Sequence, residues 1–230
     1  MEIFNSLIKE VSGILEPYAH KEYGYNKELS WNDVGHNQVI LQKETLFELD
    51  GVGFNLLTAS PVSDGVVVIG KDLQELKENV KFARICFIEF QEQEETQKTY
   101  NLIRKIEYTK YHFFPDGYMI RTSAKAHKEN VRVSKAAVKN GIDFQKVGNL
   151  LINKYKENPA VKGVRVFFVT ESAVDFSFLE SLSRKNHEIT ETLNQVMNNL
   201  NFDCDTCNLK AICDEVEGMR ELHFKNAMGK

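Results

Sequence analysis

The sequence predicts an α/β fold, with mixed sheets flanked by helices in two subdomains and a Cys-rich C-terminal tail. Three observations carry this reading. The continuous apolar run "GVVVIG" at 65–70 and the valine-rich "VKGVRVFFVT" at 161–170 have the length and β-branched content of buried strands. Segments such as "DFQKVGNLLINKYKE" at 143–157 instead space their apolar residues as a helix does. Finally, three of the four cysteines, Cys204, Cys207 and Cys213, fall together after the last helical stretch.

Taken in order, Ile3, Leu7, Ile8, Val11, Ile14 and Leu15 form one helical face, and Pro17 closes it. From 38 to 58, "QVILQKE", "LFEL" and "VGFNLLTA" read as short strands of a small sheet with hairpins. After "GVVVIG", Asp72 is placed to cap a helix over "DLQELKENVKF", and "RICFIEF" at 84–90 is the next strand, which makes a βαβ-like unit. Cys86 lies inside that apolar strand and is expected to be buried, as free cysteines commonly are. "QEQEETQKTYNLIRKIEYTK" is an amphipathic helix whose acidic start suits the positive end of the helix dipole. "YHFFPDGYMIRTS" reads as a hairpin around Pro115, Asp116 and Gly117. A short helix capped by Ser134 and stopped by Gly141 follows, then a longer one capped by Asp143, the strand at 161–170 and a long helix over 173–199. The predicted division is 1–91, 92–200 and a tail at 201–230, with the acidic 91–95 as the weakest point between the first two.

The formal charge of -4 provides no global attraction to nucleic acid, so an anionic ligand needs a local basic patch. Arg121, Lys125, Lys128, Arg132 and Lys135 make such a patch, suited to the phosphates of a nucleotide-like ligand or to ordinary surface charge. His112 and His127 lie in or beside it with no further signal. Mixed acids at the N-terminus argue against a signal peptide, and no apolar run approaches the roughly 18 to 20 residues of a membrane span. The expected location is the cytoplasm, with no membrane and no nucleic-acid partner. No Gly-rich phosphate loop, nucleophile elbow or His-Glu-x2-His segment occurs.

In a reducing compartment, Cys204, Cys207 and Cys213, spaced Cys-x2-Cys-x5-Cys, point to zinc or an iron–sulfur cluster more than to a disulfide. For zinc, His223 is the available fourth ligand. For a [4Fe-4S] cluster, three thiolates leave one iron for Asp203, Asp205, Asp214, solvent, substrate or a partner. A redox dithiol at Cys204 and Cys207 leaves Cys213 unexplained.

The ordered series "VIGKDLQELKE", "VRVSKAAVKNGIDFQKVGNLLINKYKE", "VKGVRVFFVTE", long helix and Cys-x2-Cys resembles the β subunit of the carbon monoxide dehydrogenase/acetyl-CoA synthase complex. The likeness runs co-linearly from about residue 45 to 213. It implies that Cys204, Cys207 and Cys213 match the first three ligands of the cubane in the family's A-cluster, which is bridged to a binuclear nickel site. It also implies that Arg121, Lys125, Arg132 and Lys135 assist the approach of coenzyme A. Two departures accompany it: the gap before Cys213 is shorter and no cysteine follows it, and no Cys-Gly-Cys segment for the distal nickel occurs up to Lys230. The implied protein is acetyl-CoA synthase-like, carries an iron–sulfur cluster and serves anaerobic one-carbon metabolism. It binds or assists, beside a partner from a CO dehydrogenase or corrinoid system, and does not make acetyl-CoA alone. The alternatives are a zinc-stapled protein-interaction module and one part of a split synthase whose nickel domain is a separate chain.

Overall fold

A computed structural model of the chain describes residues 4–91, 96–123, 128–197 and 210–215. Its centre is a seven-stranded mixed sheet: β1 (His20–Gly24), β2 (Thr45–Thr58), β3 (Gly65–Ile69), β4 (Val80–Phe90), β5 (Tyr118–Ser123), β6 (Lys128–Ser134) and β7 (Val161–Val169). The spatial order is β1-β3-β7-β4-β2-β6-β5. Only β2 with β4 and β3 with β7 are parallel; the other neighbours are antiparallel. The sheet is thus mixed and flanked by helices, as predicted. Strands from 1–91 and 92–200 are interleaved, with β7 between β3 and β4 and β6 beside β2, so both spans build one sheet.

The helices are α1 (Asn5–Leu15), α2 (Thr96–Tyr108), α3 (Lys135–Lys139), α4 (Phe144–Lys156), α5 (Phe176–Met197) and α6 (Lys210–Glu215). In α1, Leu7, Val11 and Leu15 recur every four residues and are buried. Ser134 accepts from the Ala137 N–H to start α3, and Asp143 accepts from the Lys146 N–H to start α4, as their positions predict. One face of α4 lies on β3 and β7: Phe144 stacks on Phe168 at 4.5 Å and on Phe82 at 5.9 Å. Gly148 lets that helix come close, since a Cβ there would lie 2.4 Å from a Val66 methyl.

Three expectations are corrected. The hairpins over 38–58 are absent: Gln42–Glu44 is a single 3-10 turn, and β2 then runs unbroken for 14 residues. Asp50-Gly51 looks like a turn, yet Gly51 serves close strand packing, because a Cβ there would lie 1.5 Å from the Phe82 carbonyl oxygen. The helix over 72–82 also does not form; the chain turns through 73–75 and enters β4 at Val80. β3 runs parallel to β7 and β7 antiparallel to β4, so β3 and β4 point in opposite directions. Such strands need no crossover helix, and a short connection suffices. Asp72 accepts from its neighbour Leu73 and from the Phe144 N–H at 2.9 Å, so it serves the start of α4. The third correction concerns Pro115. The residues before it form a 3-10 turn, Thr109–His112, and Pro115 bridges to Asp33, while β5 pairs with β6 instead. Gly117 is in the left-handed region at φ 69, and a Cβ there would lie 2.5 Å from the Ser134 hydroxyl.

Candidate functional site

The structure separates the two groups of residues that the sequence singles out. Cys204, Cys207, His223, Asp203 and Asp205 lie outside the described residues. Cys213 and Asp214 are in the backbone of α6, with their side chains outside the description. α6 packs on α5, and Ile212, next to Cys213, is 7% exposed and part of the main core. Among the described residues, no group of three or more His, Cys, Asp or Glu side chains is arranged to hold a metal. Cys86 is fully buried, as expected of a strand cysteine, and burial raises its thiol pKa.

Of the basic run, Lys125 and His127 lie outside the described residues. Arg121 is exposed on β5. Arg132 donates from Nε to Glu48 at 2.7 Å and from Nη1 to the Ile40 carbonyl at 3.3 Å. Lys135 donates to the Lys43 carbonyl at 2.9 Å. These contacts join the basic strand β6 and the start of α3 to the segment that enters β2. Lys128 faces a different feature, a cleft.

The cleft is created by the sheet. β6 pairs with β2 only as far as Gly51 opposite Glu129, so β2 continues from Val52 with β4 as its remaining partner. α2 and α5 flank this stretch and leave an open cleft of about 240 Å³. On α2, Tyr100, Arg104, Glu107 and Tyr108 face the cleft; on α5, Asn186, His187, Thr190 and Asn194 do. Both sets follow the three- and four-residue spacing that keeps side chains on one helical face. Tyr100 donates its hydroxyl proton to Asn194, which ties the helices together. The Arg104 guanidinium lies 5.8 Å from the Tyr100 ring centre and 5.7 Å from that of Tyr108, a position favoured by the negative ring faces. Asn186 is 4% exposed, and its Oδ1 has no hydrogen-bond partner among the described residues.

Below the cleft is a buried polar network. Arg84 donates from Nε and Nη2 to the two oxygens of Glu129, both at 2.7 Å, and from Nη1 to Asn55 Oδ1 at 3.1 Å and to the Cys86 sulfur at 3.2 Å. Tyr155 donates to the same Asn55 oxygen at 2.7 Å, while the Asn55 amide donates to Glu107 at 3.3 Å. Asn55 therefore links the ion pair to the cleft wall. Burial works against the Arg84 charge, but Glu129 outweighs it and holds the guanidinium pKa well above its ordinary value. Burial also raises Tyr155 well above the usual phenol range. The pair positions Glu129 in the cleft floor with its charge already balanced.

Sequence reasoning missed this network, although two signals were present. Arg84 is the one cation in the mainly apolar run from Phe82 to Phe90. Glu129 precedes Val131 and Val133 at strand spacing, which places it on their inward face. The cleft itself was illegible, because the polar faces of α2 and α5 look like ordinary wet faces until the helices meet.

A family model described as the CO dehydrogenase/acetyl-CoA synthase complex beta subunit matches residues 36–174, more than half of the chain. The match takes in β2 through β7, the Arg84–Glu129 pair and the α2 wall of the cleft, and ends before α5 and before Cys204, Cys207 and Cys213. Comparison with curated proteins gives no match.

Proposed function

The chain belongs to the CO dehydrogenase/acetyl-CoA synthase complex beta subunit family, and from that premise we propose that it is an iron–sulfur protein of anaerobic one-carbon metabolism. In this reading Cys204, Cys207 and Cys213 hold a [4Fe-4S] cluster, and the α/β body presents that cluster to a protein partner from a CO dehydrogenase or corrinoid system. The observation that supports it most is the burial of Ile212, which anchors the chain beside Cys213 to the family-matched body through α5. Cys213 thus lies in a helix that is fastened to the body. Three thiolates suit a cubane, and such a cluster, when bound, supplies one-electron transfer or an open iron position.

The chain's own contribution is binding and orientation. No Cys-Gly-Cys segment occurs in these 230 residues, so assistance to a synthase, not acetyl-CoA assembly by these residues alone, is the role proposed. The basic run belongs to the same reading: Arg121, Lys125, Arg132 and Lys135 would meet phosphates of coenzyme A, with Arg132 and Lys135 held by Glu48 and the Lys43 carbonyl.

Anaerobic purification followed by iron, sulfide, zinc and nickel analysis tests the cluster. The expected product is brown, with about four iron and four sulfide per chain if the cubane is complete, and little nickel. Replacing Cys204, Cys207 and Cys213 with Ser should remove the iron and the colour together. A colourless protein with one zinc, released by His223→Ala, would overturn the cluster in favour of a zinc staple.

A further inference from the structure

We propose that the cleft between α2 and α5 binds a small α-hydroxy or α-amino acid, its carboxylate at Arg104 and Lys128 and its donor group toward Asn186. Helices that pack within a protein body ordinarily meet through apolar stripes. Here Ile103 and Leu193 supply the apolar contact, but the faces also carry Arg104 and Glu107 on one side and Asn186, Thr190 and Asn194 on the other, around a cleft. That space, about 240 Å³ and open on one side, is below the roughly 300 Å³ at which pockets for drug-sized ligands begin. It admits a molecule of amino-acid size.

The charges select the ligand's chemistry. Arg104, Lys110 and Lys128 contribute positive charge to the lining, and Glu107, Glu129 and Glu191 negative charge. Glu129 is neutralised by Arg84 beneath it, which leaves a surplus of positive charge. A single carboxylate matches that surplus. Arg104 is held ready for it between the Tyr100 and Tyr108 rings, with its planar fork suited to a carboxylate. Among the lining residues, Asn186, whose buried Oδ1 has no partner among the described residues, and the carboxylate of Glu107 are hydrogen-bond acceptors. A carboxylate that also carries an O–H or N–H donor satisfies cations and acceptors together; a plain carboxylate or a plain amine satisfies one kind.

A matched series separates these cases on the full chain: 3-phenyllactate and phenylalanine carry both groups, 3-phenylpropionate lacks the donor and phenethylamine lacks the carboxylate. Calorimetric titration should show at least one of the first two binding about tenfold more tightly than either of the last two, a difference of about 1.4 kcal/mol. Arg104→Gln, at an exposed position, should weaken every acid in the series. Asn186→Leu should remove the preference for phenyllactate over phenylpropionate, with a thermal melt to verify folding. Equal binding of phenyllactate, phenylalanine and phenylpropionate, binding of none of the four, or binding indifferent to Arg104→Gln would each overturn the proposal. The site does not depend on the cysteines: the Cys204, Cys207 and Cys213 to Ser protein should bind the series as the unaltered chain does, whatever metal that chain contains.

Discussion

Arg84 on β4 and Glu129 on β6 form a two-pronged ion pair across the intervening strand β2, with both N···O distances 2.7 Å and both side chains at most 3% exposed. The pair crosses at Gly53, which is opposite Arg84 in the β2–β4 register. Such a pair is costly to break because the surviving charge stays buried without a partner. Glu129→Gln should therefore reduce unfolding free energy in urea by about 3–5 kcal/mol. The double variant Arg84→Met, Glu129→Leu should recover most of that loss, since it leaves no orphaned charge. A loss under about 1 kcal/mol for the single variant would show that the pair is wet and weak in solution.

Gly53→Ala should be nearly as damaging as breaking the pair. The added Cβ would lie 2.0 Å from a Glu129 carboxylate oxygen and 2.8 Å from Arg84 Nη2, so carboxylate and guanidinium would both have to move. Gly13 is the internal control. It is in α1 with nothing within 4 Å of its added Cβ, and Gly13→Ala should raise stability by about 0.5–1 kcal/mol. Equal effects at the two positions would contradict the steric account.

These glycines also show where the sequence was legible and where it was not. α3 and α4 were readable because Ser134 and Asp143 act on N–H groups three residues away, β3 because its apolar run is short and uninterrupted, and β7 because valine and phenylalanine dominate it. Gly51 misleads for the opposite reason: its partner, Phe82, is 31 residues distant, and a glycine chosen for close packing looks like one chosen for a turn. The segment after Gly70 failed similarly. Its apolar Leu73 and Leu76 are buried, but as plugs in a connection and not as one face of a helix. The cleft depends on α2 and α5, about 80 residues apart, and on where β6 stops. Local spacing contains none of that. The cysteines remain readable by spacing alone, since the side chains of all three fall outside the described residues.

Tyr118 provides a simpler test of burial. The residue is 1% exposed, its hydroxyl has no hydrogen-bond partner among the described residues, and burial holds the phenol well above its ordinary pKa. Tyr118→Phe removes a desolvated polar atom and keeps the ring, so the melting temperature should stay level or rise, by the equivalent of up to about 1 kcal/mol. A clear loss of stability would reveal a hydrogen bond to the hydroxyl in solution.

Asp72 supplies the pH dependence. Burial raises its carboxyl above the ordinary value, and the N–H groups of Phe144 and Leu73, which favour the ionised form, offset this only in part. A folded-state pKa raised above the unfolded one means that the folded protein holds the proton more tightly. Asp72's contribution is then fully present below the ordinary carboxylate range, near about pH 4, and is lost as pH rises through the raised folded value. Asp72→Asn keeps the oxygen that accepts from Phe144 and Leu73 and never ionises. It should therefore equal or exceed the parent in stability at pH 7, with the gap closing toward pH 3 in urea titrations. Asp72→Ala removes the acceptor itself and should lose about 1–3 kcal/mol across the whole range. If Asp72→Asn were instead the weaker protein at pH 7 and recovered on acidification, the carboxylate would be stabilised as an ion at the start of α4, and the dominance of burial would be refuted.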